Sequence, residues 1–243
     1  MPCLFNDMEN TKLDSLWEQL NKEIVACRRC QRLVEWRERI AHVKKKEFID
    51  YKYWGKPVIG FGDHHAKLMI VGLAPGAHGS NRTGRMFTGD ASGEFLFSAL
   101  HRAGFASSPT SKNRDDGLVI SKVFITALCR CAPPANKPTK DEINNCREYL
   151  LREMELLGNV SGYVALGRVA FDQLKILLNK INPAGQSRPI YFKHGGLYYS
   201  QGHSPWLLAS YHPSRQNTQT GKLTRFMFDQ IWDQTKWLLN SCP

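Results

Sequence analysis

Leu13, Leu16, Trp17, Leu20 and Ile24, then Leu33, Val34 and Trp36, recur among charged residues at the spacing of an amphipathic helix. The first 45 or so residues therefore predict helix, interrupted near Cys27 to Cys30. Lys67 to Leu73 (KLMIVGL) is a short apolar run that ends in Ala-Pro-Gly, the pattern of a buried strand leaving into a loop. A helix is expected after that loop, from Ser92 to Ala103, and a second strand from Val119 to Ala127. Pro138-Thr139-x-x-Glu142 is a capping-box signature for a helix running to Leu157. Gly162 to Leu166 reads as a third strand, Gly167 to Asn179 as its helix, Tyr191 to Tyr199 as a hairpin around His194-Gly195-Gly196, and Trp206 to Ser210 as another strand. Leu223 to Leu239 closes the chain as a helix.

Strands alternating with helices require crossover connections and hence parallel pairing. The expected fold is α/β: a three-layer αβα sandwich around a central parallel sheet of about four strands, with residues 1–243 as one domain. Ligands of such sheets collect beyond the carboxyl ends of the strands, and two long polar loops, 74 to 91 and 211 to 222, leave strands at that edge. Ser107 to Asp116 is polar enough to predict a flexible surface loop.

The formal charge of +11 and an isoelectric point near 9.4 favour a polyanionic partner, nucleic acid or an acidic membrane surface. No stretch approaches the ~20 apolar residues needed to cross a bilayer. MPCLFNDMENTKLD lacks the basic and apolar regions of a secretory signal, so a reducing, cytoplasmic compartment is expected. The Asn-x-Ser/Thr matches at Asn81 and Asn159 are then chance matches, and the seven cysteines need a role other than disulfides. Cys27-Arg-Arg-Cys30 is a C-x-x-C pair that Cys131 and Cys146 could complete as a four-thiolate site. Zinc and an iron-sulfur cluster both take four thiolates, a redox dithiol needs only the first pair, and Cys129 competes with Cys131. Cys3 and Cys242 near the termini read as free thiols.

The loop Gly72 to Asp90 (GLAPGAHGSNRTGRMFTGD) carries neither a G-K-[ST] nor a G-x-G-x-x-G element, which removes the common nucleotide-binding fingerprints. Its glycines allow a ligand to approach the backbone. His212 to Thr224 (HPSRQNTQTGKLT) offers an imidazole, amides and hydroxyls suited to a phosphate or a polarised oxygen.

Together with ALCRCAPPANKPT at 127 to 139, YVALGR at 163 to 168 and SYHPSRQNTQTG at 210 to 221, these loops resemble the uracil-DNA glycosylase superfamily, specifically its iron-sulfur family 5. The resemblance runs from Cys27 to the last helix. It implies a 4Fe-4S cluster on Cys27, Cys30, Cys131 and Cys146, with Cys129 a bystander. It also implies a monomer that acts on DNA containing uracil or other deaminated bases, flips the damaged base out and hydrolyses its N-glycosidic bond. The superfamily's usual carboxylates are absent: Ala74 stands where the best-known branch has Asp, and Leu73 where family 4 has Glu. Asp90, at the far end of the loop, is the replacement that family 5 offers, for the attacking water or the developing sugar cation.

By the same resemblance Phe87 stacks on the flipped base, Asn136 lines its pocket, His212 stands near the leaving base or scissile phosphates, and Asn217 touches backbone phosphate. Gly72, Ala74 and Gly76 complete the expected substrate site, and Arg215 to Thr220 wedge into the duplex. Ala127 replaces a base-reading Asn of family 4, which is compatible with the wider base range of family 5, hypoxanthine and oxidised pyrimidines included. The basic run Arg28 to Lys46 could track phosphates or form a solvated helix face. A non-enzymatic nucleic-acid module would explain charge and cysteines but not the two loops; a zinc base deaminase would need H-x-E and P-C-x-x-C, which the chain lacks. Recruitment by a replication clamp is not legible in the sequence.

Overall fold

The fold comes from a computed structural model that describes residues 3–181, 191–199 and 205–241; Cys242 lies outside them. In chain order the elements are α1 (Cys3–Ala26), α2 (Gln31–Val43), β1 (Phe61–Gly62), β2 (Leu68–Gly72), α3 (Ser80–Thr83), α4 (Ala91–Arg102), β3 (Val123–Ala127), α5 (Lys140–Leu157), β4 (Gly162–Leu166), α6 (Arg168–Ile181), β5 (Leu197–Tyr199), β6 (Trp206–Ser210), α7 (Arg215–Gln219) and α8 (Arg225–Ser241). They surround a six-stranded sheet of order β1-β3-β2-β4-β6-β5. The four central strands are parallel, as the alternation of strand and helix predicts, and β1 and β5 add short antiparallel edges.

Each parallel strand is buried along its whole length because both faces are covered, which is why these segments read as unbroken apolar runs. Ile70, Ile125, Val164 and Leu208 point into one core with Leu96 and Phe97 of α4 and Phe228 and Trp232 of α8. Their neighbours Met69, Phe124, Tyr163 and Leu207 point into the other, with Trp17 and Leu20 of α1, Leu150 of α5 and Phe171 of α6. The two-residue period of the strand thus builds both outer layers.

Local signals explain several boundaries. Thr139 and Glu142 form the predicted capping box at the start of α5, each side chain accepting the other's backbone N–H. The break at Cys27–Cys30 separates α1 from α2 as expected. Three expectations need correction. The second strand begins at Val123, because Val119 is exposed and Ile120 makes only an isolated bridge to Ala106. The expected hairpin at 191–199 is instead a turn leading into β5, which pairs with β6. The 107–116 segment is fastened: Asp116 accepts from Arg85 and from the backbone of Lys112 and Leu118, and Ser111 is buried. Asn81 is fully buried, in keeping with a chance glycosylation match. No helix among the described residues is long and apolar enough to cross a membrane.

Among the described residues one ion pair lies wholly inside. Arg130, just past β3, donates to Glu153 of α5 at 2.6 Å, and Thr126 donates to the same oxygen at 2.7 Å. Removing one partner of such a pair strands the other charge in a low-dielectric interior. Glu153→Ala is therefore expected to cost about 3–5 kcal/mol in urea denaturation; a change below about 1 kcal/mol would show that Arg130 finds solvent or another partner.

Candidate active site

A cavity of about 640 Å³ opens at the carboxyl edge of the sheet, where β2 lies between β3 and β4 and the chain order reverses. Leu73, Ala74 and Gly76 follow β2, Ala127 ends β3, and His212 follows β6. Phe87, Asp90 and Asn136 also line it, so six predicted site residues, Ala74, Gly76, Phe87, Asp90, Asn136 and His212, meet in one place.

Asp90 is the N-cap of α4: Oδ1 accepts the Gly93 N–H at 3.0 Å. Oδ2 fills the space above the loop glycines, since a Cβ on Gly76 would stand 2.7 Å from it and one on Gly79 only 2.0 Å. Burial raises its pKa, partly offset by the N–H groups of Gly93 and Ser92. Phe87 adopts a left-handed backbone with φ of 51°, an arrangement costing roughly 1–3 kcal/mol for a bulky residue. Its ring lies where a Cβ on Gly72 would be, 2.7 Å away, which explains that glycine although Gly72 does not itself line the cavity.

The His212 ring faces Phe87 with centroids 6.0 Å apart and planes inclined by 30°. Burial pushes its pKa down to about 4, so the imidazole is neutral at physiological pH and can donate one N–H. Asn217 does not line the cavity; its side-chain amide donates to the His212 carbonyl at 2.9 Å and braces the turn. Asn136 sits exposed at the rim, left-handed like its neighbour Ala135.

A second, small cavity is lined by Cys27, Cys30, Cys131 and Cys146, together with Arg29 and Arg130. Arg37, buried on α2, donates to Cys131 Sγ at 2.8 Å, and Asn145 donates to Cys30 Sγ at 3.4 Å. Cys129 is buried in the α1/α5 side of the core and does not line this cavity. Among the described residues no three His, Cys, Asp or Glu side chains are placed to hold a single metal ion.

The model of the uracil DNA glycosylase superfamily matches residues 59–236, a span that contains every residue of the larger cavity except those contributed by the 45–48 segment. The chain belongs to this superfamily. Within it, the chain is similar to the type-5 uracil-DNA glycosylase of Thermus thermophilus, 50% identical over 221 residues that cover 91% of this chain and 97% of that one. A type-5 uracil-DNA glycosylase from Mycobacterium tuberculosis is 47% identical, covering 90% and 81%, and one from Pyrobaculum aerophilum 42%, covering 86% and 87%.

For a member of this superfamily, the cavity holds residues that sequence reasoning missed. These are Glu47, Phe48, His78 and Ser214; Lys45, from the basic run, and Arg215 and Gln216, from the loop expected to wedge into the duplex, line it too. The 45–48 segment reads as the tail of a charged helix, and only packing shows that it reaches the cavity, with Arg82 stacked 4.0 Å over the Phe48 ring. Of the arginines in the basic run, Arg29 pairs with Glu148, Arg32 with Glu142 and Arg28 with Glu38, while Arg37 turns inward. Much of that charge is therefore committed within the molecule.

Two outcomes follow from this geometry. Asn caps as well as Asp, so Asp90→Asn should leave stability nearly unchanged while Asp90→Ala loses about 1 kcal/mol in chemical denaturation; equal losses would mean that the charge, not the cap, holds α4. His212 takes up a proton near 6.5 when unfolded but only near about 4 when folded, so the unfolded chain binds more protons between those values. Its stabilising contribution is complete above 6.5 and is lost as pH falls toward 4. Wild type should lose more stability than His212→Asn between pH 7 and 4.5; identical pH dependence would show a solvated imidazole.

Proposed function

We propose that this protein excises uracil from DNA by hydrolysing its N-glycosidic bond. The observation that carries the reading is the convergence of Asp90, Phe87, Asn136 and His212, from separate segments, in one cavity of a superfamily member. Excision needs the base out of the stack, a surface to receive it, and stabilisation of an anionic leaving group and a cationic sugar. Phe87 offers a fixed aromatic face, and stacking is worth ~1–3 kcal/mol per base. The neutral imidazole of His212 donates to the departing base, and Asn217, holding the His212 carbonyl, is a positioning residue. Asp90 keeps one oxygen for the helix and turns the other to the cavity, where it faces the sugar cation or its attacking water.

Ala74 and Ala127 present only methyl groups to the cavity and cannot themselves enforce one base's hydrogen-bond pattern. Hypoxanthine and oxidised pyrimidines therefore belong to the proposed substrate range, alongside uracil. Cys27, Cys30, Cys131 and Cys146 would hold a 4Fe-4S cluster: they line one cavity, Cys30 and Cys131 receive hydrogen bonds at sulfur, and the cavity is flanked by guanidinium groups that favour thiolates. When bound, the cluster would supply iron–thiolate bonds clipping the α1/α2 break to the segment after β3 and to α5. DNA is the partner, and the protein acts as a monomer in the cytoplasm.

Asp90→Asn and His212→Ala should each lower single-turnover uracil excision, read as alkali-labile strand breaks, by about 10²–10³ while DNA binding survives. A near-normal rate in Asp90→Asn would reduce that residue to a helix cap, and a shifted but intact strand with wild type would make the protein a binder only. An oligonucleotide panel carrying uracil, hypoxanthine or an oxidised pyrimidine tests the range. Purified protein should be brown, and Cys131→Ser should lose the colour where Cys129→Ser keeps it; colourless protein with stoichiometric zinc would overturn the cluster.

A further inference from the structure

His78 plays no part in the mechanism above, yet it lines the same cavity. Its Nδ1 lies 3.0 Å from the hydroxyl of Tyr53, and the two rings meet edge to face. Tyr53 is buried, and the backbone N–H of Lys45 faces the same phenolic oxygen. The buried phenol can donate its own proton to Nδ1. A neutral imidazole that accepts at Nδ1 carries its hydrogen on Nε2. Burial and the nearby Lys45 both disfavour the imidazolium, against a smaller opposing effect of Glu47. The backbone around it is also fixed: the His78 carbonyl accepts from Arg82 Nε at 2.7 Å.

The position of this donor selects its acceptor. Phe87, Ala127 and His212 belong to the ends of the central strands and the turns behind them, while His78 shares its wall with Lys45 and Phe48 from the exposed 45–48 segment. Glu47, the carboxylate on that wall, is tied to Lys45 at 2.5 Å. A donor at the mouth meets the sugar-phosphate backbone before it meets the base. We infer that His78 donates its Nε2–H to an unbridged phosphate oxygen flanking the flipped nucleotide, with Tyr53 as the positioning residue that fixes the tautomer. This rests on the DNA-substrate reading and adds a substrate contact to it.

The test compares two oligonucleotides, one with ordinary linkages around uracil and one with methylphosphonates at the linkages flanking it, which remove the charged oxygen. Dissociation constants and saturating single-turnover rates are measured for wild type, Tyr53→Phe, His78→Gln and His78→Ala, each first checked for an unchanged melting temperature. His78→Ala should weaken binding of the ordinary oligonucleotide about tenfold, the size expected for losing a hydrogen bond to a charged group. Its saturating rate should stay within about twofold, and the binding penalty should vanish on the methylphosphonate. Tyr53→Phe should show the same pattern to a smaller degree, and His78→Gln, whose amide can stand near the Nε2 position, should recover part of the binding. The inference is overturned if the penalty is equal on both oligonucleotides, which would place the contact on the base, or if neither His78→Ala nor Tyr53→Phe weakens binding. Because binding is read separately from excision, wild type that binds but leaves uracil in place would refute the glycosylase reading, and the phosphate contact would still be decided by the methylphosphonate comparison.

Discussion

The Asp90 carboxylate is the constraint on which the cavity depends. One oxygen closes the first turn of α4; the other occupies a space that two glycines leave empty in the loop after β2. A helix and a loop thereby meet at this carboxylate, and Phe87, three residues before Asp90, keeps a backbone that a phenylalanine does not choose. The strain is tolerated in a segment fixed on either side of Phe87, where Arg82 donates to the Gly89 carbonyl and Thr83 to that of Thr88. Desolvation raises the energy of the charged form, which is the condition under which a fixed negative charge acts most strongly on a developing positive one.

A chain of hydrogen bonds links the wall of the cysteine cavity to the loop that lines the larger one. Arg37 reaches Cys131 with its guanidinium, and its carbonyl accepts from the side chain of Asn81, which also donates to the Ala77 carbonyl. Asn81 is buried, and its own carbonyl accepts from Gly55. The loop carrying His78 thus rests on α2, and α2 rests on the thiol-lined wall. The internal pairing of Arg29 and Arg32 with Glu148 and Glu142 fastens the same helix-α5 contact from outside, although exposed pairs of this kind are worth little singly.

The central strands were legible because parallel strands covered on both faces must be apolar throughout, and the start of α5 because its capping box needs only a local pattern. The break between α1 and α2 was legible for the same reason. The edge strands are two and three residues long and carry no period to detect. The apolar Val119 and Ile120 extended the predicted strand too far because composition does not reveal whether a neighbouring strand is available. Asp90, Phe87 and His212 could be named from motifs, but their arrangement could not, since it comes from separate loops and from glycines whose role is to make room. Phe48 and His78 escape, and Lys45 is legible only as part of a basic run: nothing in a charged helical tail announces that it folds back over a cavity, and the carboxylate partners of Arg29 and Arg32 lie more than 100 residues away.

The position of α1 has a consequence for how the chain comes to be folded. Its Trp17, Leu20 and Ile24 are covered by the core that α5 and α6 help to build, and Trp17 also stacks on His64 at 4.3 Å. Within this chain α1 is made before every element that covers it, and α5 and α6, which supply part of that cover, follow only from residue 140 onward. Transiently uncovered apolar surface is what draws nascent chains into aggregates and chaperones. A helix made ahead of the strands and helices that bury it is therefore among the last elements to be fully covered.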